Sequence, residues 1–162
     1  MQTFDGKKHA QTIQQQIQAY LQNKSVETRP KLLITQIGNE DASSAYIKIK
    51  TALCNKLGIP TELLNLPESL SDKEIFESVQ ENFSRPDITG GIVQLPLPRE
   101  SLNPLLGLIP LEKDLDLLSP EAQRRFYAGE FDRLPPTVRA FDYFVGRLDR
   151  DFPQLSVGIV GY

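Results

Sequence analysis

The stretch that decides the fold is Lys31-Leu-Leu-Ile-Thr-Gln-Ile37, followed after a glycine turn by Asp41-Ala-Ser-Ser-Ala-Tyr-Ile-Lys-Ile-Lys50. The first part is a short apolar run of the kind that forms a buried strand. The second part predicts a helix whose first turn can be capped by a side-chain oxygen of Asp41 or Ser43. A buried strand that leads through a turn into a helix is the start of an α/β unit.

The rest of the chain continues this alternation. Further strands are predicted at residues 61–65, 90–94 and 155–160, and helices at residues 9–23, 41–58, 71–84, 102–108 and 140–148, with another segment around 119–128. Ser71 and Glu74 form a capping-box pattern at the start of one helix, and Gly58 is a natural end for another. The predicted fold class is α/β, a three-layer α/β/α domain with a mostly parallel sheet.

Composition limits the possible partners. The chain has 162 residues and a formal net charge of −3, with no basic run that would attract nucleic acid or an anionic membrane. No apolar run approaches the roughly 20 residues of a membrane span, and no signal segment is recognisable, so a cytoplasmic protein is expected. Cys54 and His9 are the only cysteine and histidine, which excludes an intramolecular disulfide and argues against a structural zinc site.

Tyr46 and Lys50 are four residues apart on the predicted helix, so their Cβ atoms lie about 5–6 Å apart on one face. An aromatic ring beside a movable proton carrier suits a ligand that is stacked upon and protonated. The plain alternative is an exposed lysine beside a half-buried tyrosine.

A second cluster is Gly90-Gly-Ile-Val-Gln-Leu-Pro-Leu-Pro98, a buried strand that delivers Gln94 at its carboxyl end. Open α/β sheets bind ligands at that end, and an amide both donates and accepts hydrogen bonds. Alternatively, the amide of Gln94 only ties down the proline loop.

Two further loops carry polar groups. In Pro110-Leu-Glu-Lys-Asp-Leu-Asp116, either Asp114 or Asp116 could accept two N–H donors from a guanidine-like ligand edge, or the run is simply solvated. In Leu134-Pro-Pro-Thr137, two prolines fix the loop, and Thr137 is a candidate helix cap.

Together these segments resemble the bifunctional methylenetetrahydrofolate dehydrogenase/methenyltetrahydrofolate cyclohydrolase family. The matching segments, which extend over essentially the whole chain, are Asp5-Gly6-Lys7, residues 38–50, residues 91–98, Lys113-Asp-Leu-Asp116 and Pro135-Pro-Thr137. The resemblance implies a catalytic α/β domain followed by a Rossmann domain that binds NADP, with the folate site between them. The implied function is interconversion of 5,10-methylene-, 5,10-methenyl- and 10-formyl-tetrahydrofolate.

The resemblance also implies roles for individual residues. The catalytic set would be Tyr46, Lys50, Gln94 and Asp116, and the substrate-binding set Tyr46, Gln94, Leu95, Pro96 and Asp116. Tyr46 would stack on the folate rings, Lys50 would be the catalytic lysine supported by Gln94, and Asp116 would hold the pterin edge. An ammonium beside a cationic methenyl substrate loses its proton more readily, which suits proton transfer.

The sequence departs from the family pattern at several positions. Leu117 stands where the family usually has glycine, which predicts a reshaped loop. Pro136, Val138 and Ala140 replace the usual residues of the segment that begins with Pro135. Residues 1–150 would form the folate-binding domain and residues 151–162 only the first strand of a truncated Rossmann domain. We therefore expect no NADP bound to this chain, no cofactor-binding residues in it, and possible homo-oligomers formed through the apolar segment 155–160.

Three functions compete at this point. The first is a folate-binding catalytic domain that retains the lysine chemistry, with tetrahydrofolate derivatives as its partners. The second is a folate-binding or interaction module without turnover. The third is a short-chain dehydrogenase, which also uses Tyr-x-x-x-Lys, but the sequence has no Gly-x-Gly-x-x-Gly or related glycine-rich turn.

Overall fold

A computed structural model describes residues 4–130, 133–147 and Gly158. It contains a three-stranded parallel sheet in the order β2-β1-β3, formed by β1 (Leu32–Ile37), β2 (Thr61–Leu66) and β3 (Gly90–Val93). All six residues of the central strand β1 are buried. Leu32 pairs with Thr61 on one side and with Gly90 on the other, so all three strands end at the same edge. The predicted α/β class with a parallel sheet is confirmed.

Within the described residues, five α-helices accompany the sheet: α1 (Gly6–Gln22), α2 (Asp41–Leu57), α3 (Asp72–Ser84), α4 (Pro120–Tyr127) and α5 (Pro136–Val145). Glu100–Leu108, predicted as a helix at 102–108, is a 3-10 helix with Pro104 inside it. A proline in that position removes an α-helical hydrogen bond, which favours the tighter turn. Helix α5 begins four residues before its predicted start, because a proline is well suited to the first helical position.

The helix ends test the sequence patterns directly. Gly58 ends α2 with a φ of 77°, and Ser71 and Glu74 form the reciprocal capping box of α3, as predicted. The predicted caps of the other two helices are wrong. Glu40 occupies the N-cap of α2 without a side-chain cap bond, and Pro135 occupies that of α5, so Thr137 lies inside that helix.

Helices cover both faces of the sheet. The larger core lies under α3 and the 3-10 helix, where the side chains of Ile75, Val79 and Phe83 are fully buried. The smaller core lies under α2 and is centred on Ile34 and Ile47. The predicted strand at 155–160 falls outside the described residues except for Gly158, so it stays a prediction. None of the helices in the described ranges is both long and apolar enough to span a membrane.

The amino-terminal edge of the sheet carries a compact ion network. Arg85 binds Glu62 through two nitrogens at 2.6 and 3.0 Å and also binds Asp87, while Lys31 contacts the same two carboxylates. Hydrogen bonds from Arg85 and then Lys31 lower the pKa of Glu62 to about 2. This network joins the starts of β1 and β2 to the loop before β3. Its residues all lie at the amino-terminal edge, so none of them is at the carboxyl edge of the sheet.

Candidate active site at the carboxyl edge of the sheet

Three of the predicted site residues meet at the carboxyl edge. Lys50 on α2 donates to the Oε1 atom of Gln94 at 3.3 Å, just after β3. The same ammonium lies 3.9 Å from the Oδ2 atom of Asp116. Helix α2, the end of β3 and the loop after the 3-10 helix Leu111–Lys113 therefore bring an ammonium, an amide and a carboxylate together, although they are up to 66 positions apart in the chain.

The orientation of the Gln94 amide follows from its other end. Its Nε2 atom donates to the Leu95 carbonyl oxygen at 2.8 Å, and its backbone N–H donates to the Thr35 carbonyl oxygen at 2.9 Å. With the NH₂ group engaged, the amide oxygen is the atom that faces Lys50, which is the acceptor an ammonium requires. Gln94 thus fixes the start of the proline loop (residues 94–99), in which the Leu95–Pro96 peptide bond is cis. It also accepts the hydrogen bond from Lys50.

The two aspartates of the acidic loop have different surroundings. Asp114 is 1% exposed and accepts the backbone N–H groups of Leu118 and Ser119 at 3.1 and 2.8 Å, so it fixes the loop from inside. Lys113 donates to the carbonyl oxygens of Phe83 and Arg85, at the end of α3. The alternative of a merely solvated charge run is therefore wrong, and Asp116 is the carboxylate available beside Lys50.

Leu117 supports this loop in an unexpected way. Its φ is 53°, in the left-handed region that glycine favours, and its side chain is buried. The backbone at this position therefore has a conformation that a glycine readily adopts. The reshaping of the loop relative to the family stays a prediction. Leucine adds an apolar anchor next to Asp116.

The open side of the site is apolar. The Tyr46 ring, one helical turn before Lys50, is 63% exposed, and Leu95 and Pro96 are exposed beside Gln94. A flat aromatic surface and two apolar loop residues around a polar centre suit a planar heterocycle. Thr137 is exposed within α5 and does not cap it.

Sequence reasoning missed the role of Ser43. Its side chain is buried, and its hydroxyl lies within hydrogen-bonding distance of the Glu40 carboxylate and 3.2 Å from the Leu95 carbonyl oxygen. The same carbonyl accepts from Gln94, so α2 and the amide hold one peptide group together. The available signal was a serine on the sheet-facing side of the first helical turn, which was interpreted as a cap. Across residues 4–130 and 133–147, no three His, Cys, Asp or Glu side chains are grouped to hold a metal ion.

Comparison with known proteins places these residues in a family. The sequence model described as "Tetrahydrofolate dehydrogenase/cyclohydrolase, catalytic domain" matches residues 4–116, which contain Tyr46, Lys50, Gln94 and Asp116. The chain belongs to this tetrahydrofolate dehydrogenase/cyclohydrolase family. The family recognised from the sequence is thereby confirmed.

Individual members of the tetrahydrofolate dehydrogenase/cyclohydrolase family show how far the match extends. "Bifunctional protein FolD" of Nitratiruptor sp. is 37% identical over 99% of this chain and 58% of its own length. The crystal structure of the bifunctional enzyme FolD from Campylobacter jejuni has a TM-score of 0.77 at 25% identity, covering 88% of this chain and 51% of that one. The Trypanosoma brucei enzyme, "complexed with NADP cofactor and inhibitor", has a TM-score of 0.78 at 24% identity, covers 90% and 51%, and supports the fold. The chain spans about half the length of these relatives.

Proposed function

We propose that this chain carries the folate site and the catalytic lysine of an enzyme that interconverts 5,10-methylene-, 5,10-methenyl- and 10-formyl-tetrahydrofolate. The observation that carries the proposal is the Lys50 ammonium held between the Gln94 amide oxygen at 3.3 Å and the Asp116 carboxylate at 3.9 Å, one turn from the exposed Tyr46 ring. The relatives named above are bifunctional dehydrogenase/cyclohydrolases, which supports this reaction class.

The hydrolytic step needs a group that moves a proton. Water adds its oxygen to the methenyl carbon of the cationic substrate, and the neutral Lys50 amine accepts the proton that water loses. The bond from that carbon to N5 then breaks, and N5 takes up a proton from the Lys50 ammonium. The added hydroxyl group releases its remaining proton to solvent as its oxygen forms the carbonyl double bond, which leaves the formyl group on N10. A lysine suits this cycle because its amine both accepts and returns a proton, and Gln94 keeps it directed at the substrate.

The neighbouring groups would divide the task of binding. Tyr46 offers a stacking surface for the pterin or aminobenzoyl ring, and Leu95 and Pro96 offer exposed apolar surface next to Gln94. Asp116 would accept N–H groups of the pterin edge, a charge-assisted contact that Asp114 is too deeply buried to make. The acidic group also offsets the positive charge of a methenyl substrate.

The dehydrogenase step requires a nicotinamide cofactor, which accepts the hydride. NADP is the cofactor in the family resemblance and in the Trypanosoma brucei complex. We assign no residue of this chain to it, since the sequence contains no glycine-rich dinucleotide turn. The chain's own contribution would be to orient the folate carbon with Tyr46, Gln94 and Asp116.

The test is a pair of lysine variants on one helix. Lys50→Arg keeps the charge but cannot surrender its proton near neutral pH, whereas Lys48→Arg changes an exposed lysine of the same helix. We expect Lys50→Arg to remove hydrolysis of methenyltetrahydrofolate, followed by loss of its absorbance, while 5-formyltetrahydrofolate binds within about threefold of the unchanged chain. Lys48→Arg should retain both.

Two outcomes would contradict the proposal. Hydrolysis above the spontaneous rate in Lys50→Arg would exclude Lys50 as the proton carrier. Binding of 5-formyltetrahydrofolate without any hydrolysis by the unchanged chain would favour the second function, a folate-binding module without turnover. Calorimetric titration and the absorbance assay on the same preparations distinguish these cases.

A further inference from the structure

Arg99 closes the loop that begins with Gln94. Its Nε atom donates to Asp72 Oδ1 at 2.7 Å, and its Nη1 and Nη2 atoms donate to the carbonyl oxygens of Glu68 and Leu70, each at 2.8 Å. Glu68 and Leu70 lie in the connection between β2 and α3, and Asp72 is the first residue of α3. One guanidinium therefore joins the loop that follows β3 to the loop that follows β2, using the forked donor geometry that only arginine offers.

The start of α3, which binds Arg99, is itself fixed by hydrogen bonds. Asp72 is the first residue of α3 and lies inside the capping box formed by Ser71 and Glu74. Hydrogen bonds from Ser101 and then Arg99 lower the pKa of Asp72, so the carboxylate stays charged at neutral pH. The guanidinium is attached to a fixed helix start rather than to a mobile side chain.

The segment between the two anchors has little freedom of its own. It runs from Gln94 to Arg99 and includes Pro96 and Pro98, whose rings fix their φ angles. Leu97 packs against the larger core, while Leu95 and Pro96 face solvent on the side of the candidate site. A short segment with two fixed φ angles transmits a displacement at one end to the other.

We propose that Arg99 is a positioning residue for the folate site: by tying the end of the proline loop to the start of α3, it sets where Leu95, Pro96 and the Gln94 amide stand relative to Lys50. This role rests on the proposed function, because the loop is taken to contact the folate. Arg99 touches neither Lys50 nor the reacting atoms, so it acts through the loop.

The ion network at the opposite edge provides a matched control. Arg85 is also a forked arginine with two acidic partners, and its side chain is 32% exposed against 31% for Arg99. Arg85→Gln removes five side-chain hydrogen bonds at the amino edge, away from the proline loop, whereas Arg99→Gln removes three. Arg85→Gln should therefore lose at least as much stability in urea unfolding as Arg99→Gln, and only Arg99→Gln should alter the site.

Two measurements read the site itself. In calorimetric titration with 5-formyltetrahydrofolate, we expect Arg99→Gln to bind about 5- to 20-fold more weakly and Arg85→Gln to bind within twofold of the unchanged chain. In nitrogen-15 NMR spectra, the Gln94 side-chain NH₂ signals should shift or broaden in Arg99→Gln and stay in place in Arg85→Gln. Arg99→Lys, with one donor centre, should fall between the two.

Each result decides something. Unchanged binding and unchanged Gln94 signals in Arg99→Gln would overturn the proposal and leave Leu97 as the anchor of the loop. If both variants bound 5-formyltetrahydrofolate equally weakly, the loss of binding would follow from lost stability alone, and the proposal would be overturned as well. If the unchanged chain binds no 5-formyltetrahydrofolate, the proposed function fails, and the Gln94 signals alone then decide whether Arg99 positions the amide.

Discussion

Gly91 is the position where one added methyl group should do most damage. An ideal Cβ there would lie 2.3 Å from Cε1 and 2.7 Å from Cζ of Phe83, far inside the roughly 3.5–4.0 Å of a carbon contact. Phe83 is fully buried in the larger core, so its ring has no open side to move into. Overpacking of this kind costs about 1–3 kcal/mol or more, and we place Gly91→Ala near the upper end, at about 3 kcal/mol.

For a chain of this size, each kcal/mol shifts Tm by about 2–4 °C, so Tm should fall by about 6–12 °C. Urea unfolding followed by circular dichroism measures the free energy directly. Gly107→Ala is the control, because no heavy atom comes within 4 Å of a Cβ at that position. Phe83→Leu should partly rescue Gly91→Ala, so the double variant should be more stable than the sum of the single losses predicts. A free energy of unfolding for Gly91→Ala within about 0.5 kcal/mol of that of the unchanged chain would refute the reasoning.

Three other predictions concern different parts of the chain. Among the described residues, the fully buried Thr35 hydroxyl has no hydrogen-bond partner, so Thr35→Val should stabilise the fold by about 1 kcal/mol in urea unfolding. Thr89→Val should destabilise it, because the Thr89 hydroxyl accepts from and donates to the Lys31 backbone. Glu62 has a pKa lowered from 4.5 to about 2, so its contribution is complete above pH 4.5 and is lost as pH falls towards 2. The stability advantage over Glu62→Gln, about 1 kcal/mol after solvent screening, should therefore vanish across that interval in urea titrations, and an advantage unchanged at pH 2.5 would contradict the assignment. We expect no heat of NADP binding in calorimetry with this chain, and a micromolar dissociation constant would disprove that expectation.

Local patterns predicted much of the fold. The apolar run of β1, the capping box at Ser71 and Glu74 and the glycine at position 58 each act through neighbours a few residues away, so the sequence contains the whole interaction. The glycine at position 91 illustrates the opposite case. Position 91 must lack a side chain because the ring of Phe83, from α3, occupies the space. No spacing rule in the sequence reveals this contact.

The site was predicted in part for the same reason. Lys50, Gln94 and Asp116 were identified by their motifs, and the structure brings them together. The motif did not show which aspartate is available to a ligand. The structure shows that Asp114 is already occupied by the backbone N–H groups of the next turn. The sequence did not reveal the contacts of Arg99 and Ser43, because their partners lie 27 and 52 positions away along the chain. Their importance depends on packing rather than on spacing.

The leucine in glycine-type backbone beside Asp116 has a consequence for the speed of ligand capture. A glycine at position 117 would leave the backbone freer at that residue, although Asp114 would still fix the neighbouring part of the loop. Leu117 holds a left-handed backbone and buries its side chain, so this residue is ordered when the chain folds. If Asp116 binds the pterin edge as proposed, the loop would be receptive before the ligand arrives, and association would be limited by diffusion and orientation rather than by a rearrangement of the protein.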